Sequence, residues 1–167
     1  MFAGDQKNLR VHADIFDKDG TTIWTKTVSA DSKDDTTTQL MLIDSRYTRD
    51  GLYFLRLQIE GQKENTYILG DYSLLPTLPQ TTVTQQVSTK KNGNENEASL
   101  SITNTGNSPA VFLRVNLKGE DGEQILPVIY SDNYQTLMPK ETRTVTIKWK
   151  DEDSRDCRPV IEIKGLN

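Results

Sequence analysis

Apolar and polar positions alternate with a period of two along almost the whole chain. Val11, Ala13 and Ile15 alternate with His12 and Asp14, the spacing of a strand with one buried face. Similar runs predict strands over residues 11–16, 21–29, 37–43, 52–59, 66–69, 82–88, 98–103, 111–117, 125–130, 142–149 and 160–163. Turn chemistry separates them: DKDG before residue 21, RDG before 52, EGQKEN before 66, Asn92-Gly93, GEDGE before 125 and the charged DEDSRD before 160. In the 21–29 strand Ile23 and Val28 are the core candidates, with Trp24 on the opposite face. No stretch shows 3.6-residue periodicity with helix caps. Many short strands at close spacing predict an all-β protein built of sandwiches.

The run LLPTLPQ, residues 74–80, breaks the alternation with Pro76 and Pro79 and reads as a stiff linker. The halves on either side echo one another. LRVNLKGEDGEQIL from Leu113 parallels VHADIFDKDGTTIW from Val11, with Gly122 in the place of Gly20. Later, RPVIEIKG parallels LYFLRLQIEG. Two copies of one unit, 1–77 and 78–167, are therefore expected. In the second half two strands precede the 111–117 strand, whereas few residues precede Val11. The first domain is expected to be truncated at its N-terminus, and the chain to be a piece of a longer polypeptide.

Composition narrows the function classes. The net charge is -4 and basic residues are interspersed with acidic ones, so no basic stripe marks a phosphate backbone and no nucleic-acid partner is expected. No apolar run reaches the roughly 18 residues of a membrane helix, and the first ten residues do not read as a signal peptide. A single cysteine, Cys157, has no partner for an internal disulfide or a metal knuckle.

Candidate chemistry is sparse, and no cofactor is predicted. Asp14, Asp17, Asp19 and Gly20 loosely resemble a calcium loop but lack the distal bidentate Glu, so a hairpin turn is the better reading. His12 is the lone histidine, without parts for a triad or a zinc site. Acidic residues cluster in turns: Asp31, Asp34, Asp35, Glu95, Glu97, Asp151, Glu152 and Asp153. They are expected to be solvated, to titrate normally and to play no general acid or base role. Trp149 shares parity with Val145 and Ile147 and is assigned to the core. Trp24 and the six tyrosines are expected to be used up by the sandwich interiors, the alternative being a sugar-stacking platform.

The most specific stretch is SDNYQTLMPKETR, residues 131–143. Asp132 and Asn133 predict an Asx-type turn, Tyr134 a buried ring whose hydroxyl reaches a backbone carbonyl, and Leu137 a return to the core. Pro139 fixes the next turn, across which Glu141 or Arg143 is expected to pair. This corner resembles the "SDNYFxLLPGE" pattern of the last domain of glycoside hydrolase family two enzymes of the β-mannosidase and exo-β-glucosaminidase type. The flanking NTGNSPAVFLRV and 125–130 stretches fit that domain too. The first half resembles, at the level of pattern, the domain preceding it in such enzymes. Two departures from the pattern matter: Gln135 replaces an aromatic residue, and Lys140 a glycine, which suggests a turn that needs no positive φ there.

The resemblance implies two tandem immunoglobulin-like β-sandwich domains at the C-terminus of a larger exo-glycosidase. Its galactose-binding-like domain, further sandwich and (β/α)₈ barrel would lie upstream, with both catalytic glutamates in the barrel and the parent enzyme periplasmic or secreted. The chain itself would then be non-catalytic, with no catalytic, cofactor or metal residues, and its partners would be the remaining domains of the parent. A carbohydrate-binding module or a surface interaction module is the alternative.

Overall fold

The computed structural model describes residues 4–34 and 36–167. The chain divides into two compact units, Met1–Thr77 and Leu78–Asn167, the boundary falling within the proline-containing 74–80 run. Part of that run is a 3₁₀ turn, Tyr72–Thr77, rather than an extended linker.

The first unit is built on one antiparallel sheet of order β2-β1-β3-β4, with β1 Gln6–Phe16, β2 Thr22–Ser32, β3 Leu52–Ile59 and β4 Asn65–Gly70. Register places Val11, Ala13 and Ile15 of β1 across from Val28, Lys26 and Trp24 of β2 and from Ile59, Leu57 and Leu55 of β3. Paired residues share a face, so Trp24 lies on the side of Ala13 and Ile15. It packs with Met41, Ile43 and Leu57 around the buried cluster Ala13, Ile15, Tyr47 and Leu55. This corrects the face assignment from the sequence: Ile23 is exposed and Trp24 is a core-side residue. Trp24 shares the parity of Val28 along β2, which the pairing of Ile23 with Val28 as core candidates overlooked; the register shift at Ile15/Phe16 lies beyond Trp24 and leaves Ile23 without a cross-strand partner in β1.

The expected strand over 37–43 is also corrected. The segment joins no ladder; Met41 and Ile43 pack against the first unit's buried cluster while Leu42 faces solvent. It alternates like a strand because it has an inner and an outer side, not because it is paired in a sheet. A single helical turn, Arg46–Arg49, follows and buries Tyr47 edge-to-face against Tyr53, with ring centroids 5.2 Å apart.

The second unit is a two-sheet sandwich. One sheet has order β5-β6-β10-β8, with β5 Val83–Asn92, β6 Glu95–Asn104, β10 Thr142–Lys150 and β8 Ile129–Tyr130. The other has order β11-β7-β9, with β11 Pro159–Lys164, β7 Ala110–Gly119 and β9 Gln135–Leu137. Inward positions of both sheets meet in a core that includes Leu100, Ile102, Val115, Leu117, Leu137, Val145, Ile147 and Trp149. Trp149 is buried there, as its parity predicts. The strand expected over 125–130 shrinks to Ile129–Tyr130, because Pro127 has no N–H to give a ladder.

The sequence echo has a structural counterpart. In the first hairpin Asp17 N–H donates to Thr21 C=O and Gly20 N–H to Asp17 C=O; in the second Gly119 N–H donates to Glu123 C=O and Gly122 N–H to Gly119 C=O. Gly20 and Gly122 take φ of 83° and 88°, a region glycine enters without steric cost. The Asp17 carboxylate accepts from the N–H groups of Asp19 and Thr21, and Asp121 accepts from Glu123 N–H. These acids shape turns.

Candidate functional site

The corner following β8 is the site the sequence singles out, and its geometry is that of a brace. Asn133 Oδ1 accepts from Val115 N–H at 2.8 Å and its Nδ2 donates to Val115 C=O at 2.9 Å. A side-chain amide thus stands where a strand residue would pair with β7. Asp132 holds Asn133 in place: one carboxylate oxygen accepts from Asn133 N–H and the other from Gln135 Nε2. Gln135, where the family pattern carries an aromatic ring, is therefore a polar part of the corner.

Tyr134 departs from expectation. It is 60% exposed with φ of 56°, and its N–H donates to Asn133 Oδ1. The left-handed backbone turns the ring away from the core. The tyrosine that caps the backbone is Tyr130: its hydroxyl accepts from Leu117 N–H at 2.8 Å. Burial pushes the Tyr130 phenol above its ordinary range, partly opposed by the Leu117 hydrogen bond and the Arg114 charge. The sequence signal for Tyr130 was its place two residues before the Asx turn, at the end of an apolar run.

Leu137 is fully buried. Beyond it, Pro139 and Lys140 form the middle of a turn closed by Glu141 N–H donating to Met138 C=O. Lys140 has φ of 68°, so the inference from its sequence that no positive φ is needed is overturned. This is the geometry of a turn with proline second and a left-handed residue third. Lys140 is held there by N–H donation to Asn104 C=O and by Nζ donation to Thr105 C=O at 2.7 Å. Glu141 accepts from Met138 N–H at 2.9 Å and lies 3.9 Å from Arg143, so its main role is to close the turn.

Behind the turn stands Asn104, which sequence reading missed. It is fully buried, donates to Ser108 C=O and Leu137 C=O, and accepts from Gly106 N–H and the Thr81 hydroxyl. A buried amide satisfied on both ends ties three loops together. The only hint in the sequence was an Asn at the end of a strand in NTGNSP, a string that reads equally well as solvated loop.

The other candidates resolve into structural roles. His12 is half-buried on a sheet face, its Nδ1 2.7 Å from Thr27 Oγ and its Nε2 3.0 Å from Asp14. This is a cross-strand polar row, with Thr27 in the middle of β2. Glu97 and Asp151 do not titrate normally, contrary to expectation. Hydrogen-bonded pairing with Lys90 and Lys148 holds Glu97 below the usual carboxylate range, and Asn96 and then Lys91 do the same for Asp151. Asp35 lies outside the described residues. Cys157 Sγ donates to Asp121 at 3.2 Å, which raises the thiol pKa and lowers that of the acid. Among the described residues no group of three or more His, Cys, Asp or Glu is arranged to hold a metal. The aromatic residues are not all spent on the interior: Tyr67, Tyr72, Phe112 and Tyr134 are exposed.

Two packed antiparallel sheets with a hydroxyl-capped tyrosine at the corner define the second unit as an immunoglobulin-fold domain. Residues 63–167 match the family model described as the exo-β-D-glucosaminidase Ig-fold domain, and the chain belongs to that family, within glycoside hydrolase family two. Among curated relatives, the exo-β-D-glucosaminidase of Streptomyces avermitilis is 34% identical over 65 residues, covering 39% of this chain and 7% of the relative. That of Amycolatopsis orientalis is 34% identical over 68 residues, covering 41% and 7%. The crystal structure of the Amycolatopsis orientalis exo-chitosanase CsxA superposes with a TM-score of 0.75 at 20% identity, over 99% of this chain and 23% of that one. That likeness speaks for the fold. The matched stretch is thus a small fraction of each relative.

Proposed function

We propose that this chain is a non-catalytic accessory region of an exo-β-D-glucosaminidase and serves to brace the enzyme's other domains. The observation that carries this reading is how the corner spends its polar groups. Asp132, Asn133, Glu141 and Asn104 all bind backbone or neighbouring side chains of their own sandwich. The two carboxylates among them, Asp132 and Glu141, each accept a backbone N–H of their own turn, whereas glycoside hydrolysis uses two acids held across a substrate cleft. The family match supports the enzyme type, and the small share of each relative that is matched supports an accessory part rather than a catalytic one.

The test uses the purified 167-residue chain and p-nitrophenyl β-D-glucosaminide. The expected result is no turnover above a buffer blank, together with restored or increased activity when the chain is co-expressed with the remainder of the hydrolase. Turnover by the pure chain would end the reading.

A carbohydrate-binding role has one observation in its favour, the exposed Tyr134 ring on a fixed corner. Saturable retention on chitosan that is lost in Tyr134→Ala would favour it.

A further inference from the structure

The second sandwich is uneven: a sheet of four strands packs on a sheet of three. Along β5, Val83, Gln85, Val87 and Thr89 pair with Asn104, Ile102, Leu100 and Ala98, all four of which are fully buried. Paired residues share a face, so these β5 side chains point to the core side. Yet Gln85 and Thr89 are exposed and Val87 is 46% exposed. Val83 packs on the core, but from Gln85 to Thr89 the core face of β5 is uncovered.

The matching gap lies beside β11, which among the described residues pairs only with β7. Glu120 N–H donates to Arg158 C=O, which sets the alternation of the ladder. Val160, Glu162 and Lys164 bond β7, and the N–H and C=O groups of Ile161 and Ile163 turn to the open edge. Ile161 and Ile163 are only partly buried although they pack on the core. A groove of about 760 Å³ runs between the two edges, its lining including Val87, Leu117, Trp149, Val160 and Ile161. Of its charged residues, Lys90 and Lys91 are already paired with Glu97 and Asp151, and Arg158 and Glu120 lie along it.

We propose that this groove seats an extended strand, supplied by a segment of the same hydrolase outside these 167 residues. The strand would add to the free edge of β11 through Ile161 and Ile163 and cover Val87 with aliphatic side chains at every second position. Strand addition to an exposed edge takes its affinity from main-chain hydrogen bonds and its specificity from alternate side chains. An uncovered edge of this kind also invites unwanted pairing, which a resident strand removes. The source of the strand rests on the accessory-region reading above: matched stretches cover only 7% of the curated relatives and 23% of the solved chain, so such an enzyme has ample further sequence to provide it.

The experiment has two arms. In the first, the isotope-labelled 167-residue chain is titrated with the peptide acetyl-Glu-Val-Thr-Val-Thr-Val-Glu-amide. Saturable shifts at the Ile161 and Ile163 amides and the Val87 methyls are expected. They should weaken at least about tenfold when the peptide is N-methylated at alternate residues, or when Ile161→Pro removes an edge N–H, a position where proline is tolerated. The N-methylated peptide decides the matter if that variant fails to fold. Absence of shifts at Ile161, Ile163 and Val87 with the unmodified peptide, or equal shifts with the N-methylated one, overturns the proposal. In the second arm, amide exchange is measured after co-expression with the remainder of the hydrolase. Protection of Ile161 and Ile163 relative to the isolated chain is expected. Restored activity without that protection overturns the strand while leaving the accessory-region reading intact. Failure of activity to return counts against that reading, and with it the strand's source. A concentration-dependent dimer that protects the same amides assigns the groove to a second copy and overturns the proposal.

Discussion

Asn133 and Val115 exchange two hydrogen bonds, at 2.8 and 2.9 Å, so that a side-chain amide completes the edge of β7 where the backbone ladder lapses. Val115 is buried, so removing the amide strands both of its backbone groups. Asn133→Ala is expected to lower the stability of the second unit by about 2–4 kcal/mol, the cost of leaving two buried polar groups unpaired. Asn133→Asp keeps the acceptor, loses the donor and should fall between. Urea unfolding followed by the near-ultraviolet signal of Trp149 measures both; wild-type stability in the alanine variant would refute the brace.

Lys140 occupies a left-handed position at which its family pattern carries glycine. Strain of this kind costs about 1 kcal/mol or more, and here it is offset by the Nζ bond to Thr105 C=O. Lys140→Gly is expected to change stability by less than about 1 kcal/mol, relief of strain balancing the lost bond and the added freedom of the unfolded chain. Lys140→Val, which keeps the strain and adds a branched Cβ, should cost about 1–2 kcal/mol. Equal thermal midpoints for the two variants would contradict the turn geometry.

Tyr130 joins the sheets through its hydroxyl bond to Leu117 N–H. Tyr130→Phe should cost about 1–2 kcal/mol by leaving that buried N–H unpaired. There is also a pH signature. Burial raises the phenol above its ordinary value of 10.0, so at alkaline pH the unfolded state releases this proton before the folded state does. The stabilisation is present below pH 10.0 and declines as pH rises from there through the raised value. The difference in stability between wild type and Tyr130→Phe should shrink above pH 10; a constant difference would place the phenol in solvent.

Glu97 bridges Lys90 on β5 and Lys148 on β10, at 2.8 and 3.1 Å, across the outer face of the larger sheet. These partners lower its pKa from an ordinary 4.5, so its stabilising contribution is present above that value and is lost as pH falls through the lowered one. Glu97→Gln should flatten the acid limb of the stability curve below pH 4.5. Added salt should reproduce part of that effect at neutral pH, since the three side chains are reached by solvent. An unchanged acid limb would show that the row contributes nothing.

Legibility differed between strands and joints. β3 runs over Leu52–Ile59, the span its apolar residues predict, and the inward parity of Val145, Ile147 and Trp149 was readable in place. These are local properties, set by a two-residue repeat and one buried face. The 37–43 segment, by contrast, alternates without joining a ladder, and pattern cannot tell a covering loop from a paired strand. At the corner, residue type announced a turn, but which tyrosine would turn inward depended on the backbone sign at Tyr134, with φ of 56°.

By itself the sequence determined that this protein is all-β, where its turns fall, and which family its corner belongs to. Those follow from alternation, turn chemistry and a contiguous motif. Only the tertiary structure decided that Asn104 and Asn133 are the polar ties of the second unit, that Lys140 is left-handed and that β5 and β11 each leave a side uncovered. Each depends on groups far apart in the chain, such as Val115 and Asn133 or Asn104 and Leu137. Which distant backbone group a polar side chain will meet is fixed by how the sheets pack, and no local pattern encodes it.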